Sequence, residues 1–341
     1  MMKSFRKLKG TLAHGVDCVT GTFQKPEEAV FIVGFWNSGT TWFQQMVSKM
    51  VGAKRIFDPF YFHINEYRRL VEKRINQVSF QWPFANVYCP FYGDTLECDD
   101  LVQKYVRTSL TGKLRGAVPQ EHGGEWVRHI RERRSEHFRR RIVTKCVRGQ
   151  FVAPAVHRQF GTPVLHIWRD PRAVFASLKR RNWRWFEQAS LRALLTAGSD
   201  GRSQYAAQHA GYLEKLDAEG TFAMKMAAYW ALTENYVERE LSGFDGFVSV
   251  NYDQMVLEPE QALNTVADVL DVSCSIEEDA VEKNSNTTQS TRHDISKMNR
   301  IAGWKSELNS SQVRSIEKVV QELGMLERTD FIESKVLNRK K

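Results

Sequence analysis

The sequence predicts an α/β fold in three layers, a short, mainly parallel central sheet flanked by helices. Two stretches carry that prediction. Residues 29–33 are an apolar run that stops at Gly34, turns through small polar residues and enters a helical pattern at Thr40. Residues 163–168 are a second apolar run that ends in a charged turn, with Pro171 suited to the first turn of a following helix. A chain of 341 residues and 42% hydrophobic content can bury one sizeable core around such units.

The elements follow in order. Residues 1–25 read as a basic, poorly ordered lead-in, and a single domain is expected over 26–330, with a basic tail at 331–341. After the first strand, residues 40–52 place Trp42, Phe43, Met46, Val47 and Met50 at helical spacing. Residues 55–63 read as a short strand running into a loop. The pattern loosens over 64–124, and an insertion is expected near 64–140. It includes a helix at 125–141 whose seven arginines either collect an acidic ligand or form a solvated face. Residues 141–148 form a third strand that ends in Lys145 and Arg148, and a helix follows at 151–160. Beyond the second apolar strand, residues 179–184 are a basic knot joined to Trp183 and Trp185. A second insertion is expected over 183–220, with 191–220 as a mobile segment or lid. Residues 221–241 are a clear helix in which Lys225 and Trp230 read as structural. Residues 246–251 are a further buried strand, Pro259 opens another helix, 284–296 is a polar loop, and a last helix ends near Leu323.

Gly34 and Gly39 bracket four residues, and the glycines with Ser38, Thr40 and Thr41 let backbone N–H groups face an anion where the helix starts. This spacing is that of a phosphate loop, so the expected fold is P-loop-like. A nucleoside triphosphatase needs Lys and then Ser/Thr after the second glycine to hold the terminal phosphates and magnesium. Thr40 and Thr41 stand there instead, which argues against an ATPase or kinase. Arg169 ends the second apolar strand and Ser177 follows eight residues later, two turns into the next helix, so both can grip one phosphate.

Together these stretches resemble the sulfotransferase superfamily. There, a loop reading roughly Lys/Arg-Ser-Gly-Thr-Thr-Trp holds the 5′-phosphosulfate of 3′-phosphoadenosine 5′-phosphosulfate (PAPS), and an Arg and a Ser at the same separation hold the 3′-phosphate. The resemblance implies Asn37, Ser38, Gly39, Thr40 and Thr41 at the 5′ end and Arg169 and Ser177 at the 3′ end, with Arg292 in the late polar loop as a further 3′-phosphate contact. Asn37 stands where the family has its basic residue. Trp42 is implied near the adenine, although core packing accounts for it equally well.

The finer pattern is closest to carbohydrate sulfotransferases. These and the tyrosylprotein enzymes carry a Glu, often Glu-Pro in the former, about twenty residues beyond the loop cation, and Asp58-Pro59 falls 21 residues after Asn37. Asp58 is therefore the implied general base for the acceptor hydroxyl, or else a plain loop starter. Glu121 and His122 are alternative bases. The 141–148 strand resembles a Val-Lys-Gly-Val-Arg strand, in which Lys145 offsets charge on the leaving phosphate with help from Arg148, or forms a strand-end ion pair. Residues 299–308, with Trp304, resemble the carbohydrate enzymes' terminal Trp-Arg-x-x-Leu segment.

The expected function is thus transfer of a sulfuryl group from PAPS to a hydroxyl, with a carbohydrate as first choice of acceptor. A tyrosine or small-alcohol sulfotransferase, or a non-catalytic nucleotide- or glycan-binding relative, stands as the alternative. Net charge of +9 and a pI near 9.3 call for an anionic partner such as PAPS, its product PAP or an acidic acceptor, but do not by themselves separate these from membrane surface or nucleic acid. No nucleic-acid module is present in the sequence. The five cysteines show no Cys-x-x-Cys spacing, and no His/Cys set suggests a metal, so none is expected. Cys89 and Cys98 would pair only in an oxidising lumen. No stretch approaches the roughly 18 apolar residues of a membrane span, which favours a cytoplasmic enzyme, with a Golgi lumenal one lacking its anchor as the alternative.

Overall fold

The computed structural model describes residues 14–61, 64–75, 97, 99–114, 141–184, 187–196, 201–274, 297–325 and 327. Five strands, β1 (Val30–Val33), β2 (Lys54–Phe57), β3 (Ile142–Cys146), β4 (Val164–Trp168) and β5 (Phe247–Asn251), form one sheet in the order β2-β3-β1-β4-β5. Every neighbouring pair is parallel. All strand ends that lead into helices therefore share one edge, the place where open α/β sheets bind ligands.

Side chains alternate between two covered faces, and so every residue of β1, β3 and β4 is buried. Val30 and Ile32 pack with Phe43, Val47, Met255 and Leu263 from helices Thr40–Met50, Tyr252–Leu257 and Pro259–Val269. Phe31 and Val33 face the other way, toward Val106, Val156 and Val237 of helices Asp100–Leu110, Ala153–Phe160 and Phe222–Leu241. Gln44 bolts the first of these helices down, its amide donating to the carbonyls of Ile56 (2.8 Å) and Val143 (2.9 Å).

His166 in β4 is fully buried, with Nε2 2.7 Å from Glu234 and Nδ1 3.1 Å from Glu238 and 3.0 Å from Ser249 Oγ. Burial alone would lower its pKa, but the two carboxylates outweigh that and raise it. The imidazole thus ties helix Phe222–Leu241 to the sheet, and the part of that tie that comes from its proton is lost as the pH rises through its raised pKa.

Residues 191–220 differ from the expected lid. They fold as helices Leu191–Thr196, Gly201–Ala207 and Ala210–Glu219. Leu191, Leu194, Leu195, Tyr205, Leu213 and Leu216 enter the same core as Trp230. Their leucines lie too far apart in sequence to read as one amphipathic helix, yet three short turns bring them onto one side. Asp217 fixes the first of these helices by accepting from the N–H groups of Leu191 (2.6 Å) and Arg192 (3.1 Å). Lys225 and Trp230 are buried, and Lys225 donates to the carbonyls of Glu187 and Ala189. Cys146 is buried, which pushes its thiol up to about 12. The helix expected over 125–141, Trp185, and Cys89 and Cys98 lie outside the described residues.

Candidate active site at the strand ends

The chain leaves β1 at Gly34 and re-enters helix at Thr40 with Gly39 as cap residue, at φ 85°. A Cβ at Gly39 would lie 2.4 Å from the Tyr252 ring, and one at Gly34 would lie 2.3 Å from the Ile167 carbonyl oxygen. Both positions are closed to any side chain. Asn37 also has left-handed backbone, at φ 61°, a region that asparagine tolerates better than most residues. No side chain caps helix Thr40–Met50, so its first-turn N–H groups keep the anion-binding character of a helix start. Buried Ser38 Oγ and Asn37 Nδ2 have no hydrogen-bond partner among the described residues. Thr40 is buried and Thr41 half-buried. Trp42 is 5% exposed, its ring 6.0 Å from that of Tyr252.

Arg169, just past β4, reaches this loop. Its Nη1 donates to the Asn37 carbonyl (3.0 Å) and its Nη2 to the Arg300 carbonyl (2.6 Å), while the guanidinium lies over the Tyr252 ring at 4.3 Å. The Nε–H has no partner, and Arg169 makes no ion pair among the described residues. The neighbouring Asp170 is committed elsewhere. It caps helix Pro171–Arg180 through the Arg172 N–H and binds the Arg172 guanidinium at 2.8 Å, which also reaches Glu317 and lies over Trp304. Ser177 lies on that helix, 8% exposed.

The β3 end is built differently. Asp58, at φ 44° and 7% exposed, accepts from the Val147 N–H (2.9 Å) and the Lys145 ammonium (3.2 Å), with Arg148 at 3.8 Å. Lys145 sits over the Phe57 ring at 3.7 Å, and Arg148 lies 5.7 Å from the Trp36 ring and 5.1 Å from that of Tyr61. Burial lowers the pKa of Lys145 while Asp58 opposes the shift. Two cations face one carboxylate, and the ion pair that was one of two sequence readings for Lys145 is present.

Asp253 was not singled out by the sequence. It is 1% exposed in the first turn of helix Tyr252–Leu257, its Oδ1 has no hydrogen-bond partner among the described residues, and burial pushes its pKa up to about 7 against the pull of Arg169. The signal available was positional, a carboxylate directly behind a buried parallel strand. Tyr252 and the Arg300 carbonyl were missed for the same reason. Glu121, His122 and Arg292 lie outside the described residues. Among the described residues no group of three His, Cys, Asp or Glu side chains could hold a metal ion.

Two anion-favouring features, the loop and Arg169, therefore adjoin at one edge of the sheet. A family model described as the sulfotransferase domain matches residues 27–327. No curated protein matches. Among solved structures, the chain is similar to a mouse sulfotransferase complexed with PAP, at 11% identity over 94% of this chain and 93% of that one (TM-score 0.43). It is similar to the sulfotransferase domain of the curacin biosynthetic pathway, at 14% over 86% and 96% (TM-score 0.41). It is also similar to retinol dehydratase in complex with androsterone and PAP, at 14% over 88% and 81% (TM-score 0.41).

Proposed function

The chain belongs to the sulfotransferase domain family, and on that premise we propose that it transfers a sulfuryl group from PAPS to a carbohydrate hydroxyl. The observation that carries this reading is Arg169: a cation that among the described residues bonds only to carbonyls, fastened to the backbone of the loop between β1 and helix Thr40–Met50. Buried donors at Asn37, Ser38 and Arg169 that have no partner among the described residues fit an anionic ligand better than an apolar one. When bound, PAPS supplies the sulfuryl group and a stable bisphosphate leaving group.

The chain's own residues do the rest. Ser38, Gly39, Thr40 and Thr41 hold the 5′ end with backbone N–H groups and hydroxyls; Arg169 and Ser177 hold the 3′-phosphate, with Arg292 as an added contact. Lys145 and Arg148 supply the positive charge that Asn37 does not, Arg148 lying beside Trp36 next to Asn37. Asp58 holds these two cations in place. Its oxygens are engaged by these cations and by the Val147 N–H, and Glu121 or His122 stand as the alternative general bases. Carbohydrate specificity is supported by the Asp58-Pro59 and 141–148 resemblances and by Trp183, 41% exposed in the basic 179–184 stretch, where a flat ring can lie under a sugar.

The test is incubation with sulfur-labelled PAPS and a panel of glycans, tyrosyl peptides and small alcohols or phenols. Label on a glycan is expected; label on a peptide or small alcohol instead overturns the acceptor class. A second reading, a binding protein without transfer, is favoured by Asn37. It predicts thermal stabilisation by PAP and no labelled product.

A further inference from the structure

Resting on the transfer reading, we propose that the acceptor sugar bears an anionic group of its own, a carboxylate or a sulfate, and that Arg148 holds it. Arg148 stands two residues beyond β3 with its side chain 7% exposed. Among the described residues its one charged partner is Asp58, 3.8 Å from Nη1, and its Nε–H has no hydrogen-bond partner. Asp58 is already engaged. It accepts from the Val147 N–H (2.9 Å) and from Lys145 (3.2 Å), the latter at the same oxygen that Arg148 faces. Two positive charges thus meet one negative charge where all three side chains are largely shut from water. One positive charge is left over, and a buried surplus of this kind is costly until an anion meets it.

The neighbours of Arg148 point the same way. Its guanidinium lies 5.7 Å from the Trp36 ring and 5.1 Å from the Tyr61 ring. Ring faces attract a guanidinium but leave its in-plane N–H groups without acceptors, and that fork matches a carboxylate or a sulfate. Trp36 belongs to the loop after β1, and Tyr61 to the turn after β2, where its N–H donates to the Asp58 carbonyl (3.0 Å). The strand order β2-β3-β1-β4-β5 then arranges the binding edge: Arg169 at the β4 end, the glycine-bracketed loop after β1, and Arg148 after β3. A nucleotide that runs from Arg169 to the loop delivers its sulfuryl end toward β3, and in-line transfer brings the acceptor from beyond it. Arg148 therefore stands on the acceptor's side of the group in transit. A neutral sugar would leave the surplus charge unmet.

The experiment uses three probes that differ at a single carbon: methyl glucoside, methyl glucuronide and methyl glucoside 6-sulfate. Their dissociation constants are measured by nuclear magnetic resonance titration of the full chain saturated with PAP, so that no transfer is needed and Arg169 is already occupied. Wild type is expected to bind one of the two acids at least about ten-fold more tightly than the glucoside, on the scale of a charge-assisted hydrogen bond, and the preferred acid names the group. Arg148→Gln should bring that ratio close to one while keeping most of its stabilisation by PAP. Arg148→Lys should restore part of the ratio, through charge without the fork. Equal binding of all three probes by wild type, or a preference that survives Arg148→Gln, would overturn the proposal. Stabilisation by PAP without any acid preference sinks this inference and leaves the donor reading standing; no stabilisation by PAP sinks the donor reading and this inference with it.

Discussion

Arg148 and Arg169 end the two strands that flank β1, yet the chain treats them oppositely. At the β3 end, Arg148 and Lys145 share the Asp58 carboxylate. At the β4 end, Arg169 meets two carbonyls and an aromatic face, and the Asp253 carboxyl, whose charge it favours, has its pKa pushed up to about 7 by burial. One pair of cations shares a carboxylate that offsets part of its charge. The other cation has no carboxylate bonded to it among the described residues. The contrast teaches that two arginines at equivalent strand ends can be set in different surroundings, which under the proposed function suits Arg169 to binding and Arg148 to polarising.

The largest expected effect is on Arg169. Arg169→Ala should abolish stabilisation by PAP and lower kcat/KM by ~10²–10³, whereas Arg148→Ala should keep most of the stabilisation and lose kcat. Equal loss of PAP stabilisation in both would break the comparison. Asp58→Asn, which leaves two buried cations without their carboxylate, should cost roughly 3 kcal/mol of stability by chemical denaturation. In the protein that remains folded it should strengthen PAP binding, because the β3 end then resembles the β4 end.

Asp253 gives a pH test. Its folded pKa lies above the ordinary 3.8, so the stability tied to its proton is fully present below that value and is lost as the pH rises through about 7. Over the same upper range the ionised carboxylate begins to compete with phosphate for Arg169. PAP stabilisation should therefore weaken above about pH 7 in the wild type, and Asp253→Asn should flatten that profile. A wild-type profile already flat would show that Asp253 does not sense the site. The smallest effect is expected from Asn37→Lys, less than about ten-fold in kcat on the scale of a single donor, because Lys145 and Arg148 already supply charge there.

Much of this was readable from residues. The apolar runs at 29–33, 141–148, 163–168 and 246–251 each contain a strand, because buried parallel strands need side chains that suit two covered faces. The phosphate loop was legible from its two glycines, whose necessity the Tyr252 and Ile167 contacts explain. The replacement of a cation by Asn37 was visible as a departure, but not its physical setting, a left-handed backbone at φ 61°. Strand order was not legible, since nothing local states that β1 lies between β3 and β4. For the same reason, Asp58 could be proposed as a base while its bonds to Lys145 and Val147, 87 and 89 residues away in sequence, were out of sight. The helices within 191–220 escaped because each is too short to display a period.

Arg169 bonds to the carbonyls of Asn37 and Arg300, which lie 132 and 131 residues from it in opposite directions along the chain. Such a clasp can close only when both distant pieces are docked, so it reports on the joining of three segments of the chain at once. Occupancy by a nucleotide would then act as a seal on a finished molecule, and hydrogen exchange near residue 300 would slow in its presence more than exchange in the middle of the sheet.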